Sequence, residues 1–219
     1  MQSQSIEQDI SNNVIQDTWE IREDTATWYI NLPLDFTTLS FREINIWYEK
    51  SVTKTLNAFS ELARAWHVSF RASSEEEVKR IELEWKPEVP YEKYYESFLK
   101  AIREFSHRIS FLEIQVDFNV FTNTLESPNK ATKNWVRYLG NFSFCGGKIH
   151  SHPFIYLDLN NTLFCPSSIY EQNNSKLYYL NQPMLEKALI NWEKKIGKID
   201  DIEGIEGIYK YGFLPEDED

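Results

Sequence analysis

The segment from Leu112 to Val120 constrains the fold more than any other part of the sequence. It reads LEIQVDFNV, so that apolar side chains occupy the even-numbered positions and polar side chains the odd-numbered ones. Side chains two residues apart share one face of a strand. A strand with one apolar and one polar face is typical of an antiparallel sheet that packs against a core on one side only. This segment therefore predicts such a sheet.

Shorter patterns predict the other elements. Alternation predicts strands at Thr27–Leu32, Glu43–Tyr48, Ile81–Trp85, Val136–Phe144, Ile149–Leu159, Thr162–Phe164 and Leu177–Leu180. Apolar residues three and four apart predict helices from Ser51 to about Trp66, from Tyr91 to Phe105 and from Pro183 to Ile196. The segment Ala65–Phe70 also alternates as a strand does, which leaves the end of the first helix open. The polar segment Leu125–Lys133, which contains Pro128, is predicted to be a loop.

Strands outnumber helices in this prediction, and the connections are too short for repeated βαβ crossovers. We therefore predict an α+β fold, a largely antiparallel sheet with about three packed helices. No linker rich in Gly, Pro or Ser divides the chain. The prediction is a single domain over residues 25–198, an acidic polar leader over residues 1–24 and an acidic C-terminal tail over residues 199–219.

The net charge of −11 is concentrated at the two ends of the chain. The leader has six acidic residues against Arg22, and the tail has eight against Lys210, so the remaining body is close to neutral. This distribution argues against a mimic of DNA, whose acidic groups would cover the body. It is compatible with a solvated tail and with a tail that meets a basic partner.

Glycine is absent from the first 139 residues, since the first of the seven is Gly140. A loop that wraps a phosphate group in backbone N–H groups needs glycine for positive φ and for close approach. A P-loop or a dinucleotide-binding turn is therefore excluded from the first two thirds of the chain.

The N-terminal segment lacks the basic and apolar regions of a secretory signal, and no 18 apolar residues follow one another. Two cysteines do not make a disulfide framework. These observations predict a cytoplasmic protein with no membrane partner.

Both cysteines and two of the four histidines fall within 21 positions, and they are Cys145, His150, His152 and Cys165. Thiolates and neutral imidazoles are the ligands that tetrahedral zinc prefers. A zinc site is one interpretation, although the spacing is not that of a zinc knuckle. The other is two buried thiols and two surface imidazoles, with no cofactor.

The segment GKIHSHP, residues 147–153, resembles the metal-binding motif of the JAMM/MPN metalloproteases. The resemblance implies a zinc-dependent hydrolase in which His150 and His152 bind the metal and Glu113 is the candidate general base. The Ser-x-x-Asp that follows this motif in the family is missing here, because the chain continues FIYLDLNN.

Aromatic residues are abundant, at 15% of the chain. Trp and Tyr are frequent anchors of protein interfaces. The candidates for partner contact are Trp47, Tyr48, Tyr91, Tyr94, Tyr95, Trp135 and Tyr156, together with Glu216 and Asp217 of the tail. Without a complete catalytic motif, we predict a protein-binding protein, and in composition it resembles acidic bacterial inhibitors and immunity proteins.

A nucleic-acid-associated accessory protein is a further alternative. Cations and aromatic residues alternate at Lys130, Lys133, Trp135, Arg137 and Tyr138, and lysines gather at the end of the last predicted helix. Such groups contact phosphates and unpaired bases. The near-neutral body, however, provides no strong basic field, so nucleic acid is the less favoured partner.

Overall fold

A computed structural model describes residues 14–15, 21–72, 79–124, 127–146, 152–167 and 174–215. These residues form a large antiparallel sheet with three helices packed on one of its faces. The α+β fold predicted from the sequence is thereby confirmed. Within these ranges, no helix combines the length and the hydropathy needed to cross a bilayer.

Nine strands make up the sheet, in the order β4-β3-β5-β7-β8-β2-β9, with β1 and β6 also paired to β5. Their bounds are β1 Val14–Ile15, β2 Ile21–Asn31, β3 Ala63–Ala72, β4 Arg80–Glu84, β5 Ile109–Thr124, β6 Ser127–Val136, β7 Gly140–Cys145, β8 Phe154–Asn161 and β9 Asp201–Gly204. Every pairing between these strands is antiparallel.

The long strand β5 is the centre of the sheet and contains the segment that alternates most clearly. Its even-numbered side chains from Leu112 to Val120 are fully buried under the helices, as predicted. The helices are α1 Phe41–Ala58, α2 Tyr91–Glu104 and α3 Ser175–Lys195. Edge-to-face ring contacts join the layers, for example Phe59 and Phe142 at 4.9 Å and Phe70 and Phe105 at 5.2 Å.

The strand predicted at Glu43–Tyr48 is wrong, because this segment is the first part of α1. Ser40 caps the helix in a reciprocal capping box with Glu43. Ile44 and Tyr48 are buried, and they continue the four-residue spacing of the buried residues further along the helix. The same helix ends at Ala58, and β3 begins at Ala63, so of the two alternatives for Ala65–Phe70 the strand is the one that forms.

Helix α3 begins eight residues before Pro183, so the strand predicted at Leu177–Leu180 and the helix start at Pro183 are both wrong. The helical period continues on both sides of the proline. The buried positions are Leu177, Tyr178, Asn181, Gln182, Leu185, Ala188, Leu189 and Trp192. Helix α2 was correctly predicted.

The predicted loop Leu125–Lys133 is also wrong where it is described, since most of it forms β6 and pairs with β5. The strand predicted at Val136–Phe144 is divided by a turn at Tyr138, whose φ is 65°. The strand predicted at Thr162–Phe164 is not formed, since β8 ends at Asn161. The side-chain Nδ2 of Asn161 donates a hydrogen bond to Leu139 O.

The chain after Ile199 is packed into the fold up to Phe213, although the sequence suggested a tail from residue 199. Strand β9 pairs with β2, and a short hairpin of β10 Ile208–Tyr209 and β11 Gly212–Phe213 follows. Phe213 is buried against Trp28, with ring centroids 6.1 Å apart. These residues therefore belong to the folded body.

Candidate functional site

The face of the sheet opposite the helices, here called the open face, carries polar side chains from strands that are distant in the sequence. The strand register aligns one row across it, namely Glu84, His67, Gln115, Asn141, Asp158, Thr27 and Glu203. Neighbouring strands are about 4.8 Å apart, so each of these side chains lies within reach of the next.

Asp117 lies on the open face and is only 3% exposed. Its two carboxylate oxygens accept hydrogen bonds from Arg64 at 3.2 Å and from Arg137 at 3.0 Å. A buried carboxylate is stable only when it is paired in this way. Asp117 is therefore a structural anchor for two arginines and not part of the solvated face that its odd position in the sequence suggested.

Both arginines also stack on tryptophan rings. The guanidinium carbon of Arg64 lies 4.4 Å from the ring centroid of Trp85 and 4.2 Å from that of Trp135. That of Arg137 lies 4.4 Å from the ring centroid of Trp66. Cation–π contacts of this kind are attractive and favour this arrangement of the rings. Trp135 therefore packs on Arg64 while 39% of it stays exposed.

Trp135 and Arg64 form one wall of a groove of about 610 Å³, here called the aromatic groove. Its lining consists of Leu56, Asn57, Ser60, Ala63, Arg64, Tyr91, Glu92, Tyr95, Glu96 and Trp135. A second depression, of about 250 Å³ between the end of α1 and α3, shares Asn57 and Ser60 with it. The two depressions are therefore neighbours at the end of α1.

Tyr91 fixes the wall of the groove at the start of α2. Its hydroxyl oxygen accepts a hydrogen bond from the backbone N–H of Ala65 at 3.1 Å. Burial raises the pKa of Tyr91 to about 12, against a smaller lowering by that hydrogen bond. The phenol is therefore neutral at physiological pH, and this part of the groove wall is polar but uncharged.

The seven aromatic residues predicted for partner contact fall into four places. Tyr91, Tyr95 and Trp135 meet in the aromatic groove. Tyr94 is buried in α2, and its hydroxyl donates to Leu83 O at 3.0 Å. Tyr156 lies half-buried on the open face. The other two belong to the region near the start of α1, as described next.

Trp47 is half-buried, and its ring packs edge-to-face on Phe36 and Tyr48, each at 4.9 Å. Tyr48 is fully buried, and its hydroxyl donates to Gly146 O at 3.0 Å. Burial raises the pKa of Tyr48 well above its usual value. Tyr48 is therefore part of the core.

The residues of the predicted zinc site are only partly described. His150 lies outside the described residues, as do Glu216 and Asp217 of the tail. His152 is exposed, with Nδ1 2.9 Å from Leu34 O. Both cysteines are buried, Cys145 opposite the start of β8 and Cys165 four residues beyond its end.

Among the described residues, no group of three or more His, Cys, Asp or Glu side chains is placed to hold a metal ion. Glu113, the base that the metalloprotease resemblance implies, is half-buried on the open face and accepts from Gln115 at 3.4 Å. Since His150 is not described, the zinc hypothesis stays a prediction.

The cations of the nucleic-acid hypothesis are separated. Lys130 and Lys133 are exposed on β6, whereas Arg137 is turned inward to Asp117. Lys187 of α3 pairs with Glu61 at 2.7 Å. Two of the basic groups thus have acidic partners within the chain.

Sequence reasoning missed Arg64, Trp85 and Asp117, which organise the groove. Arg64 lies in β3, Asp117 lies in β5 and Trp85 follows directly after β4, and Arg64 and Asp117 are 53 positions apart. The sequence does place aromatic or charged residues at the polar positions of predicted strands. This pattern indicates an exposed face, but it does not show which of these residues contact each other.

Comparisons with models of protein families, with curated proteins and with solved structures find no match for this chain. Its function is therefore argued from the geometry and chemistry of these surfaces.

Proposed function

We propose that this chain is a protein-binding protein, of the inhibitor, immunity or accessory-subunit kind, and that the aromatic groove is its contact surface. The observation that carries the proposal is Trp135, 39% exposed and held by Arg64 at the edge of a concave surface. Exposed aromatic side chains in preformed pockets are frequent hot spots of protein interfaces.

The shape of the surface favours a polypeptide segment as the occupant. The aromatic groove and the second depression share Asn57 and Ser60, so a ligand that occupied both would be elongated. Because Arg64 is already fixed by Asp117 and by two tryptophan rings, little side-chain freedom is lost on binding.

The charge at the rim favours a basic partner. Glu92 and Glu96 are exposed, lie one helical turn apart on α2 and line the groove. Two like charges at this spacing weaken a helix. Among the described residues, neither glutamate is in an ion pair with a Lys, Arg or His side chain. A Lys or Arg of the partner would remove the repulsion, and the acidic residues Glu216 and Asp217 would add to the attraction.

The partner is first isolated by affinity capture from the host, and its dissociation constant is then measured with purified proteins. We expect Trp135→Ala to weaken binding about 30-fold, as the loss of a hot-spot anchor does. Tyr179→Ala is the matched control, because Tyr179 is 63% exposed on α3 and away from the groove. Equal affinities of the Trp135→Ala variant and the wild type would overturn the proposal.

The role of the rim is tested by association kinetics. We expect the double variant Glu92→Gln/Glu96→Gln to associate more slowly at low ionic strength, with the difference lost at high ionic strength. Glu104→Gln, at the far end of the same helix, is the control. A rate that does not depend on these two charges would rule out a basic partner while leaving the groove itself in place.

Two alternatives stay predictions. A zinc-dependent hydrolase at His150 and His152 requires stoichiometric zinc in the purified protein, which metal analysis measures. A nucleic-acid-associated protein requires salt-dependent binding of single-stranded oligonucleotides.

A further inference from the structure

Strand β6 is an edge of the sheet, since β5 is the only described strand that pairs with it. In an antiparallel pair, residues whose backbone N–H and C=O groups bond to the neighbouring strand alternate with residues whose groups point away from it. The other contacts of β5 show which residues of β6 point away.

Two residues of β5 direct their backbone groups away from β6. The N–H of Asn119 donates to the carbonyl oxygen of the residue just before β3 at 2.7 Å, and both backbone groups of Phe121 bond to the side chain of Asn181. Asn119 is opposite Trp135, and Phe121 is opposite Lys133. Both are therefore non-hydrogen-bonded pairs, so the backbone groups of Lys133 and Trp135 point to the outer side of β6.

These outward groups have no hydrogen-bond partner in the described part of the chain. Lys133 and Trp135 together present two N–H donors and two C=O acceptors in the pattern that a neighbouring strand, about 4.8 Å away, would bond to. Their side chains are exposed and share one face of β6, because they are two residues apart. A free edge of this kind is a template for an added strand.

The charge along this edge favours an acidic occupant. Lys130 and Lys133 are exposed, and among the residues that the structure describes neither forms an ion pair. Glu61 is bonded to Lys187 at 2.7 Å, and its pKa is lowered mainly by Lys187 and to a smaller extent by Lys133. The edge of β6 is thus a basic stretch of a chain whose net charge is −11.

A second copy of β6 fits this edge less well. Antiparallel pairing of two identical strands would bring the lysines of one copy close to those of the other, and facing like charges destabilise a sheet. The net charge of −11 also opposes self-association. An extended segment with a carboxylate facing Lys133 satisfies both the backbone groups and the charge.

We propose that β6 binds an acidic, extended polypeptide segment of a partner as an additional strand, with backbone hydrogen bonds to Lys133 and Trp135 and a carboxylate facing the Lys133 ammonium group. The added strand extends the sheet beyond β6. It uses the backbone of Trp135, whereas the aromatic groove uses the side chain. The inference therefore goes beyond the function proposed above and does not depend on it.

The first test is amide hydrogen exchange of the full-length protein, followed by NMR with and without an end-blocked heptapeptide of alternating valine and glutamate. We expect fast exchange at Lys133 and Trp135 in the free protein, and exchange at least about tenfold slower with the peptide bound. Thr132 and Asn134 are the internal control, because their amides bond to β5 and should exchange slowly in both states.

Substitutions at Lys133 separate the charge from the backbone. Lys133→Thr removes the ammonium group and keeps the N–H, so we expect the peptide to bind about two- to fivefold more weakly. Lys133→Pro removes the N–H as well, and we expect about a further tenfold loss. Since this N–H has no partner within the described chain, the proline should be tolerated in the edge strand.

Matched peptides and a groove variant provide the controls. N-methylation of the glutamates retains the charge of the peptide but removes its donors, and replacement of glutamate by lysine reverses the charge. Both changes should abolish saturable binding. The double variant Glu92→Gln/Glu96→Gln at the rim of the aromatic groove should bind the original peptide as the wild type does.

The proposal is overturned if the wild type does not saturate with the peptide, if Lys133→Pro binds it as tightly as Lys133→Thr, or if the N-methylated peptide binds equally well. An affinity that changes in Glu92→Gln/Glu96→Gln would place the peptide in the aromatic groove instead. Slow exchange at Lys133 and Trp135 in the free protein, together with a dimer in sedimentation, would show that a second copy occupies the edge.

Discussion

Asn181 of α3 pairs with the backbone of Phe121 in β5 as a neighbouring strand would. Its Oδ1 accepts from the Phe121 N–H at 2.8 Å, and its Nδ2 donates to the Phe121 C=O at 3.0 Å. The pairing of β3 with β5 ends at Phe118, so this part of β5 would otherwise expose an unpaired edge to the core. A helix side chain therefore completes the sheet here.

Replacing Asn181 with Ala leaves both backbone groups of Phe121 without these bonds inside the protein, since Asn181 is fully buried. We expect the free energy of unfolding to fall by about 2–4 kcal/mol. Urea denaturation measures the change. Asn191→Ala, at a half-buried position of the same helix, is the control and should cost less than about 1 kcal/mol. A loss no larger than that of the control would show that the amide does not complete the sheet.

The elements that the sequence predicted correctly are those whose pattern admits one period. The nine residues from Leu112 alternate over their whole length, and α2 repeats at helical spacing over more than three turns. The segment Glu43–Tyr48 is different, because Ile44, Ile46 and Tyr48 alternate while Ile44 and Tyr48 also fit a helix. The capping box at Ser40 was the local signal that distinguishes the two.

The surfaces were less predictable than the fold. Tyr91 and Tyr95 could be paired from helical spacing alone, but Trp135 reaches them only through β6, which was predicted to be a loop for most of its length. Asp158 and Glu203 lie 45 positions apart in the sequence and share a row only because β2 lies between β8 and β9. Such contacts depend on strand order, which periodicity does not determine.

Asp117→Asn tests the anchor of the aromatic groove. The neutral amide keeps the shape of the side chain but leaves the charges of Arg64 and Arg137 uncompensated where they are partly buried. We expect a loss of about 2–3 kcal/mol in the free energy of unfolding, less than for a fully buried pair because Arg64 is partly exposed.

The control for this variant is Glu113→Gln, a half-buried carboxylate on the same face of β5. It should cost less than about 1 kcal/mol. We also expect Asp117→Asn to change the tryptophan fluorescence of the native state, since Arg64 positions Trp135 and Trp85. If both the fluorescence spectrum and the stability of Asp117→Asn equal those of the wild type, Asp117 does not anchor Arg64.

The two thiols should be unreactive in the native protein. Burial raises the pKa of Cys145 to about 12, Arg71 lowers it by a smaller amount, and Cys145 is only 8% exposed. Because the thiolate is the reactive form, we expect labelling by a disulfide reagent at pH 8 to be at least about a hundredfold slower than in urea. The variants Cys145→Ala and Cys165→Ala show which labelling rate belongs to which cysteine. If Cys145 is labelled as fast in the native protein as in the unfolded protein, it is not buried.

Stability should fall at alkaline pH through the tyrosines. Burial, followed by the hydrogen bond to Glu203, raises the pKa of Tyr29 to about 12, and burial raises that of Tyr91 to the same value. In the unfolded chain a tyrosine has a pKa of about 10. The folded state therefore binds these protons more tightly, and the stability they contribute is complete below pH 10 and is lost as the pH rises through 12.

The unfolding midpoint in urea, measured from pH 8 to pH 12, should decrease above about pH 10. Tyr29→Phe should reduce the slope of that decrease, because phenylalanine has no proton to lose, and Tyr179→Phe should not, because Tyr179 is 63% exposed. In parallel, the phenolate absorbance of the native protein should lag behind that of the urea-unfolded protein. If the two states titrate at the same pH, folding does not raise the pKa of these tyrosines.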